Sequence, residues 1–113
     1  MVRTATRREI VRRLSVAEDL LHGRFRAPLS LSELAGESDM SPYHFLRRFA
    51  EYYGTTPHRF LTRLRLSHAR RLLARRTMSV KQVAYECGYR SVPSFVHLCV
   101  REWGVNPTAL ARG

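Results

Sequence analysis

The feature that most constrains this chain is an internal repeat in which each copy carries its own start and stop signals. The first copy opens on Ser30-Leu31-Ser32-Glu33 and the second on Ser79-Val80-Lys81-Gln82. In both, a serine hydroxyl can accept from the amide three residues on, while a Glu or Gln can reach back; this is the pattern of a capping box at a helix start. Leu31, Leu34 and Ala35 recur as Val80, Val83 and Ala84, with Ser79 lying 49 positions after Ser30. Phe45, Tyr53, Gly54 and Pro57 recur as Phe95, Trp103, Gly104 and Pro107, now 50 positions apart. The change of one falls between the two sets, so the second copy carries one extra residue in its turn. Self-similarity at this period marks a repeated supersecondary unit.

Each copy reads as two short helices split by a tight turn, the helix-turn-helix shape. The first helix of copy one runs to Glu37. The second starts at Ser41-Pro42, with a serine cap and proline at the first helical position, and runs to Tyr53 before Gly54. In copy two the turn falls at Gly88 and the second helix runs from Val92 to Trp103. Asp39 takes the turn position matching Gly88, and Asp tolerates the left-handed conformation better than most residues. A small alanine, Ala35 or Ala84, is expected where the two helices of each pair cross.

The flanks are helical too. Ile10, Leu14, Ala17 and Leu21 form one stripe of a first helix from Thr4 to Leu21 that Gly23 should stop, with a loop from Arg24 to Leu29. Thr56-Pro57 opens a longer helix to Arg76, with Phe60, Leu61, Leu64, Ala69, Leu72 and Leu73 as its apolar positions. About 20 residues at about 1.5 Å each make a rod of about 30 Å. Asn106-Pro107 starts a last short helix, and nothing alternates with period two for long. The expected fold is all-α: seven helices forming two helix-turn-helix subdomains, residues 1–55 and 77–113, joined by a long linker helix over 56–76.

Composition now narrows the partner. The 113 residues hold 20 Lys and Arg against 9 Asp and Glu, a net charge of +11, which fits DNA, RNA or an anionic membrane alike. Lys81 is the only lysine. Arginine's planar fork suits bidentate contacts to phosphate and guanine, although arginine usage also follows from a GC-rich genome. Hydrophobic residues make up 44%, too many for a disordered basic tail. The start lacks a signal peptide's apolar segment and no run is long enough to cross a bilayer, so a cytoplasmic, nucleoid-associated protein is expected.

The segments LSLSELAGESDMSPYHFLRRFAEYYGTTPHRFL, RLRLSHARRLL and SVKQVAYECGYRSVPSFVHLCVREWGVNPTAL resemble the DNA-binding domain of AraC/XylS transcription regulators, from Leu29 to Leu110. The resemblance implies a monomeric domain whose two helix-turn-helix units bind successive major grooves on one face of promoter DNA. It also implies activation through contact with RNA polymerase.

Helical geometry, at 100° per residue, suggests which side chains read bases. With Phe45, Phe49 and Tyr52 turned to the core, Tyr43, Arg47, Ala50 and Glu51 point outward, and Leu46 sits on the flank. Arg47 is the best base reader, with guanine its natural partner. Tyr43 and Leu46 suit sugar or a thymine methyl, and the family's base-contacting positions fall on the same three residues. In the second copy, Phe95, Cys99 and Trp103 point inward, which leaves Pro93, His97, Val100 and Arg101 outside. His97 occupies the slot of Arg47, where the family usually has arginine; Cys99 stands where phenylalanine is expected. Val92 and Pro93 replace polar residues that often read bases. The second unit should therefore mainly grip backbone through Arg90, Ser91, Ser94 and Arg101, while Ser41 and His44 do so in the first.

Competing readings stand beside this one. A basic helical module can hold nucleic-acid backbone without sequence choice, and a degenerate regulator half can serve protein contact alone. Histidines 22, 44, 58, 68 and 97 lack metal-ligand spacing, and Cys87, His97 and Cys99 are not placed to converge on zinc. Cys87 reads as a small apolar residue at a helix end, and Tyr53 and Trp103 as core. No phosphate-cradling glycine loop, carboxylate pair or nucleophile–base pair is legible, so neither an enzyme nor a cofactor is expected.

Overall fold

Short polar residues and glycines decide where most of the helices begin and where the second helix of each pair ends. The structure, a computed structural model, describes residues 5–112. Its helices are α1 (Arg7–Arg24), α2 (Leu31–Glu37), α3 (Pro42–Tyr53), α4 (Pro57–Ala74), α5 (Val80–Glu86), α6 (Val92–Trp103) and α7 (Pro107–Arg112), with no strand among the described residues.

The N-caps follow the sequence closely. Ser41 accepts from the His44 amide at 3.3 Å and Ser91 from the Ser94 amide at 3.3 Å. The two capping boxes differ. At α5 both arms form: the Gln82 amide donates to Ser79 Oγ at 3.1 Å, and the Ser79 amide donates to Gln82 Oε1 at 2.8 Å. At α2 the Glu33 amide donates to Ser30 Oγ at 3.0 Å, but the Glu33 carboxylate accepts from the Ser30 hydroxyl, at 3.2 Å, rather than from its amide. A hydroxyl has one proton to give, and here the carboxylate takes it.

The turns explain the one-residue offset. Four residues separate α2 from α3 and five separate α5 from α6. Asp39 at φ 55° and Gly88 at φ 91° both adopt the left-handed conformation, in which the short Asp side chain is tolerated and Gly is free of strain.

Two helix ends depart from expectation. The start placed at Thr4 lies outside the described residues; α1 begins at Arg7, with Thr6 as its cap. It runs through Gly23 to Arg24, because a glycine in the last turn costs little and a basic side chain suits the negative helix end. The linker helix stops at Ala74, not Arg76. The Arg75 and Arg76 amides bond back only three residues, to the Leu72 and Leu73 carbonyls, and Arg76 turns left-handed at φ 57°.

The chain divides into two units, one ending at Leu61 and one beginning at Thr62. In the first, Leu14, Ala17 and Leu21 of α1 are buried with Leu34, Ala35, Phe45, Phe49 and Leu61, while Ile10, the first residue of the expected stripe, is half-buried. Phe49 is its centre, with ring centroids of Phe45, Tyr53 and Phe60 at 5.6, 4.4 and 5.5 Å. The second unit packs Leu66, Ala69, Leu72, Leu73, Val83, Ala84, Cys87, Phe95 and Cys99 together. Ala35 and Ala84 are fully buried, as close packing of each helix pair requires. Both cysteines are buried; desolvation, aided by neighbouring Cys87, pushes the Cys99 thiol up to about 12 and keeps it protonated. Among the described residues no helix is long and apolar enough to cross a membrane.

Two core assignments are corrected. Tyr53 and Trp103 are half-buried, each packed against its core with part of the ring at the surface. The Tyr53 hydroxyl donates to Glu18 Oε1 at 3.0 Å, and the Arg70 guanidinium lies 5.7 Å from the Trp103 ring centre. Tyr52, expected inward, is 51% exposed. Tyr53 stands one turn beyond Phe49 and takes the inward slot, so Tyr52 rotates to the edge, where it flanks a groove lined by Ile10, Val11 and Leu14. In α4, Leu66 is buried though not expected to be, whereas Phe60 and Leu64 are only half-buried.

Candidate nucleic-acid interface

The second helix of each pair sets its apolar face inward, which leaves the opposite face to solvent. On α3, Phe45 and Phe49 are fully buried, while Tyr43, His44, Leu46, Arg47 and Glu51 are exposed and Ala50 and Arg48 are intermediate. On α6, Phe95 and Cys99 are buried, while Pro93, Ser94, His97, Val100 and Arg101 are exposed.

Arg47 does not hang free. Its Nε donates to Glu51 Oε1 at 3.2 Å, and the Arg48 Nη1 donates to Glu51 Oε2 at 3.1 Å, so one carboxylate holds two arginines. The Arg47 side chain is still 61% exposed. The bond to Glu51 and the nearby Tyr43 hydroxyl raise Arg47 above its ordinary value. Arg48 first and Arg47 second hold the Glu51 carboxyl below its ordinary value. Tyr43, Arg47 and Glu51 thus form one polar line along the outer face of α3, one turn between neighbours. Sequence reasoning placed Glu51 on this face but missed that it binds both arginines; the Arg47/Glu51 spacing of four was the available signal.

The other expected contacts sit as follows. Leu46 is partly covered, lining an apolar groove with Leu29, Leu31, Leu34 and Leu61. The exposed cap serines 41 and 91 accept from backbone amides yet keep a hydroxyl proton to give, and such protons suit phosphate oxygens. His44 packs edge-on to Tyr43 at 5.7 Å. Near it, Ser41, Arg13 and Arg48 line a cleft that also includes Asp39, to which Arg13 pairs at 3.8 Å. Arg90 is exposed just before the α6 cap, and Arg101 reaches Glu102 at 3.5 Å. The outer line of α6 is Pro93, His97, Arg101: no carboxylate stands one turn after His97.

Comparison with known proteins identifies the fold and the family. Residues 34–113 match the family model described as a helix-turn-helix domain. The chain is 37% identical over 89 residues to the transcriptional regulator GbdR of Pseudomonas aeruginosa, covering 78% of this chain and 24% of GbdR. It is 32% identical over 101 residues to the transcriptional activator RhaS of Escherichia coli, covering 89% of this chain and 36% of RhaS. The chain therefore spans about a quarter to a third of these relatives. Among solved structures, a transcriptional regulator from Chromobacterium violaceum with an AraC-type DNA-binding domain superimposes with a TM-score of 0.80 at 28% identity, over 90% of this chain and 91% of that one. The DNA-binding domain of the global transcriptional factor AdpA, solved with a target DNA, gives a TM-score of 0.82 at 29% identity, covering 88% and 89%. With the repeat, the seven helices and the matched model all in agreement, the chain belongs to the AraC/XylS family of helix-turn-helix transcription regulators.

Proposed function

We propose that this chain is the DNA-reading part of a transcription regulator, with α3 choosing the sequence and α6 mainly holding the duplex. The observation that carries this is the exposed Tyr43–Arg47 line on α3, charged and donor-rich, against the Pro93–His97 line on α6. Arg47 presents a forked donor to guanine O6 and N7, Tyr43 and Leu46 offer apolar contact to sugar or thymine methyl, and His97 makes a weaker base contact. Ser41 and His44, with Arg90, Ser91, Ser94 and Arg101, engage phosphates and set register.

In this reading α3 and α6 enter successive major grooves, which recur every 34 Å or so. The working divisions are the first helix-turn-helix over 1–55, the linker over 56–76 and the second over 77–113. The family relation and the DNA complex of AdpA support it. A monomer on DNA, activation through RNA polymerase, a cytoplasmic location and the absence of catalytic activity belong to the same proposal, and the name of RhaS as an activator supports an activating role.

The test is selection of bound duplexes from a random pool, followed by competition binding of the Arg47→Ala and His97→Ala variants at physiological salt. Arg47→Ala should weaken the selected site by about 1–3 kcal/mol and relax preference at one base pair; His97→Ala should cost less. Equal losses of base preference would remove the asymmetry. Equal affinity for selected and random DNA, with a steep salt dependence, would leave only backbone binding.

A further inference from the structure

We propose that Glu51 is a specificity-determining positioning residue: it clamps the Nε edge of Arg47 and so aims the two terminal amino groups outward as a guanine reader. This rests on the assignment of Arg47 as a base reader.

The geometry carries it. Glu51 Oε1 accepts from Arg47 Nε, not from either terminal nitrogen, at 3.2 Å. Nη1 and Nη2 are the atoms that pair end-on with guanine O6 and N7, and this bond leaves both uncommitted to Glu51. Arg48 is bound the other way, through Nη1 to Glu51 Oε2 at 3.1 Å, so the carboxylate is itself held from a second side. An arginine loses several rotamers when it is fixed, and fixing it before binding lowers that cost for the right base.

Helix stability does not explain the residue. Glu51 lies in the last turn of α3, where a carboxylate faces the negative end of the helix dipole. The pair also runs Arg-then-Glu, the weaker order for an i,i+4 pair. An acidic side chain on a DNA-facing surface further repels phosphate. Removing it should therefore leave the fold unharmed and strengthen non-selective binding, while weakening choice at one base pair. The matching position in the second unit is Arg101, and His97 there has no clamp.

The experiment measures the affinity ratio between the selected site and the same site with the Arg47-dependent base pair changed. It uses the wild-type chain, Glu51→Ala, Glu51→Gln and Arg47→Ala, and each Glu51 change in the Arg47→Ala background. Glu51→Ala should lower that ratio on the order of tenfold, with affinity for random duplex rising and the melting temperature unchanged or higher. Glu51→Gln keeps an acceptor for Nε and should restore part of the ratio. In the Arg47→Ala background neither change should alter it. A ratio unmoved by Glu51→Ala overturns the proposal. So does loss of preference at a neighbouring base pair, which would make Glu51 a direct reader of cytosine. If Arg47→Ala itself leaves the ratio intact, the base-reader assignment fails first, and the clamp with it.

Discussion

Phe49→Ala offers the sharpest test of how the recognition helix is held. Phe49 is fully buried, with three aromatic rings packed against it at centroid distances of 4.4, 5.5 and 5.6 Å. Truncating such a phenylalanine costs about 3–5 kcal/mol, and losing its ring partners places this site toward the upper end. At about 0.05–0.15 kcal/mol per residue, a unit of about 60 residues has about 3–9 kcal/mol in all. The substitution should therefore remove about half or more of the first unit's stability. At about 4–8 °C per kcal/mol, its melting point should fall by about 15–40 °C.

The chain supplies its own control, because its single tryptophan, Trp103, lies in the second unit. Thermal melts followed by far-ultraviolet circular dichroism should show an early transition in the variant, while Trp103 fluorescence keeps the wild-type midpoint. Cys99→Ala, at the matching position, should move the Trp103 midpoint instead. A Phe49→Ala shift of only a degree or two would refute the packing argument. Equal displacement of both signals would refute separate units.

Two smaller effects follow from single bonds. Desolvation first, and the bond to Glu18 second, raise the Tyr53 hydroxyl above its ordinary value of 10.0. The folded state thus favours the protonated phenol: this contribution is complete below about pH 10 and is lost as pH climbs through the raised value. Tyr53→Phe should cost about 1 kcal/mol at neutral pH and give a flatter decline of melting temperature above pH 10; an unchanged alkaline slope would count against it. Ser79→Ala removes the acceptor of the Gln82 amide in the doubly bonded cap of α5. It should cost about 1 kcal/mol, read as an earlier Trp103 melt, and no shift in that melt would show the cap to be idle.

Much of the fold was legible because its signals are local. A serine that caps, a proline at the first helical position and a glycine that accepts positive φ act through backbone atoms a few residues away. The bounds of α2, α3, α5 and α6 follow from such signals, as does the left-handed turn at Asp39. Ends without a strong local stop were misplaced: α1 ran on past Gly23, and α4 closed early at Ala74. Tyr52 is expected inward as well as Tyr53, but adjacent residues stand 100° apart on a helix and only one of the two takes the inward slot. Which one turns inward depends on Glu18 of α1 waiting for a hydroxyl, and no local pattern in α3 reports that.

The sequence by itself determined the duplicated helix pairs, their family, the outward face of each second helix and the arginine that stands on it. Periodicity and capping are properties of neighbours in the chain. The tertiary structure decided which aromatic of α3 turns inward, where the Tyr53 hydroxyl meets Glu18 of α1, while side-chain rotamers within α3 decided how that arginine is presented, with Glu51 on its Nε edge and Arg48 on Glu51 in turn. Spacing alone makes such a pair possible, but rotamers and competing partners choose which nitrogen is taken and which are left to act.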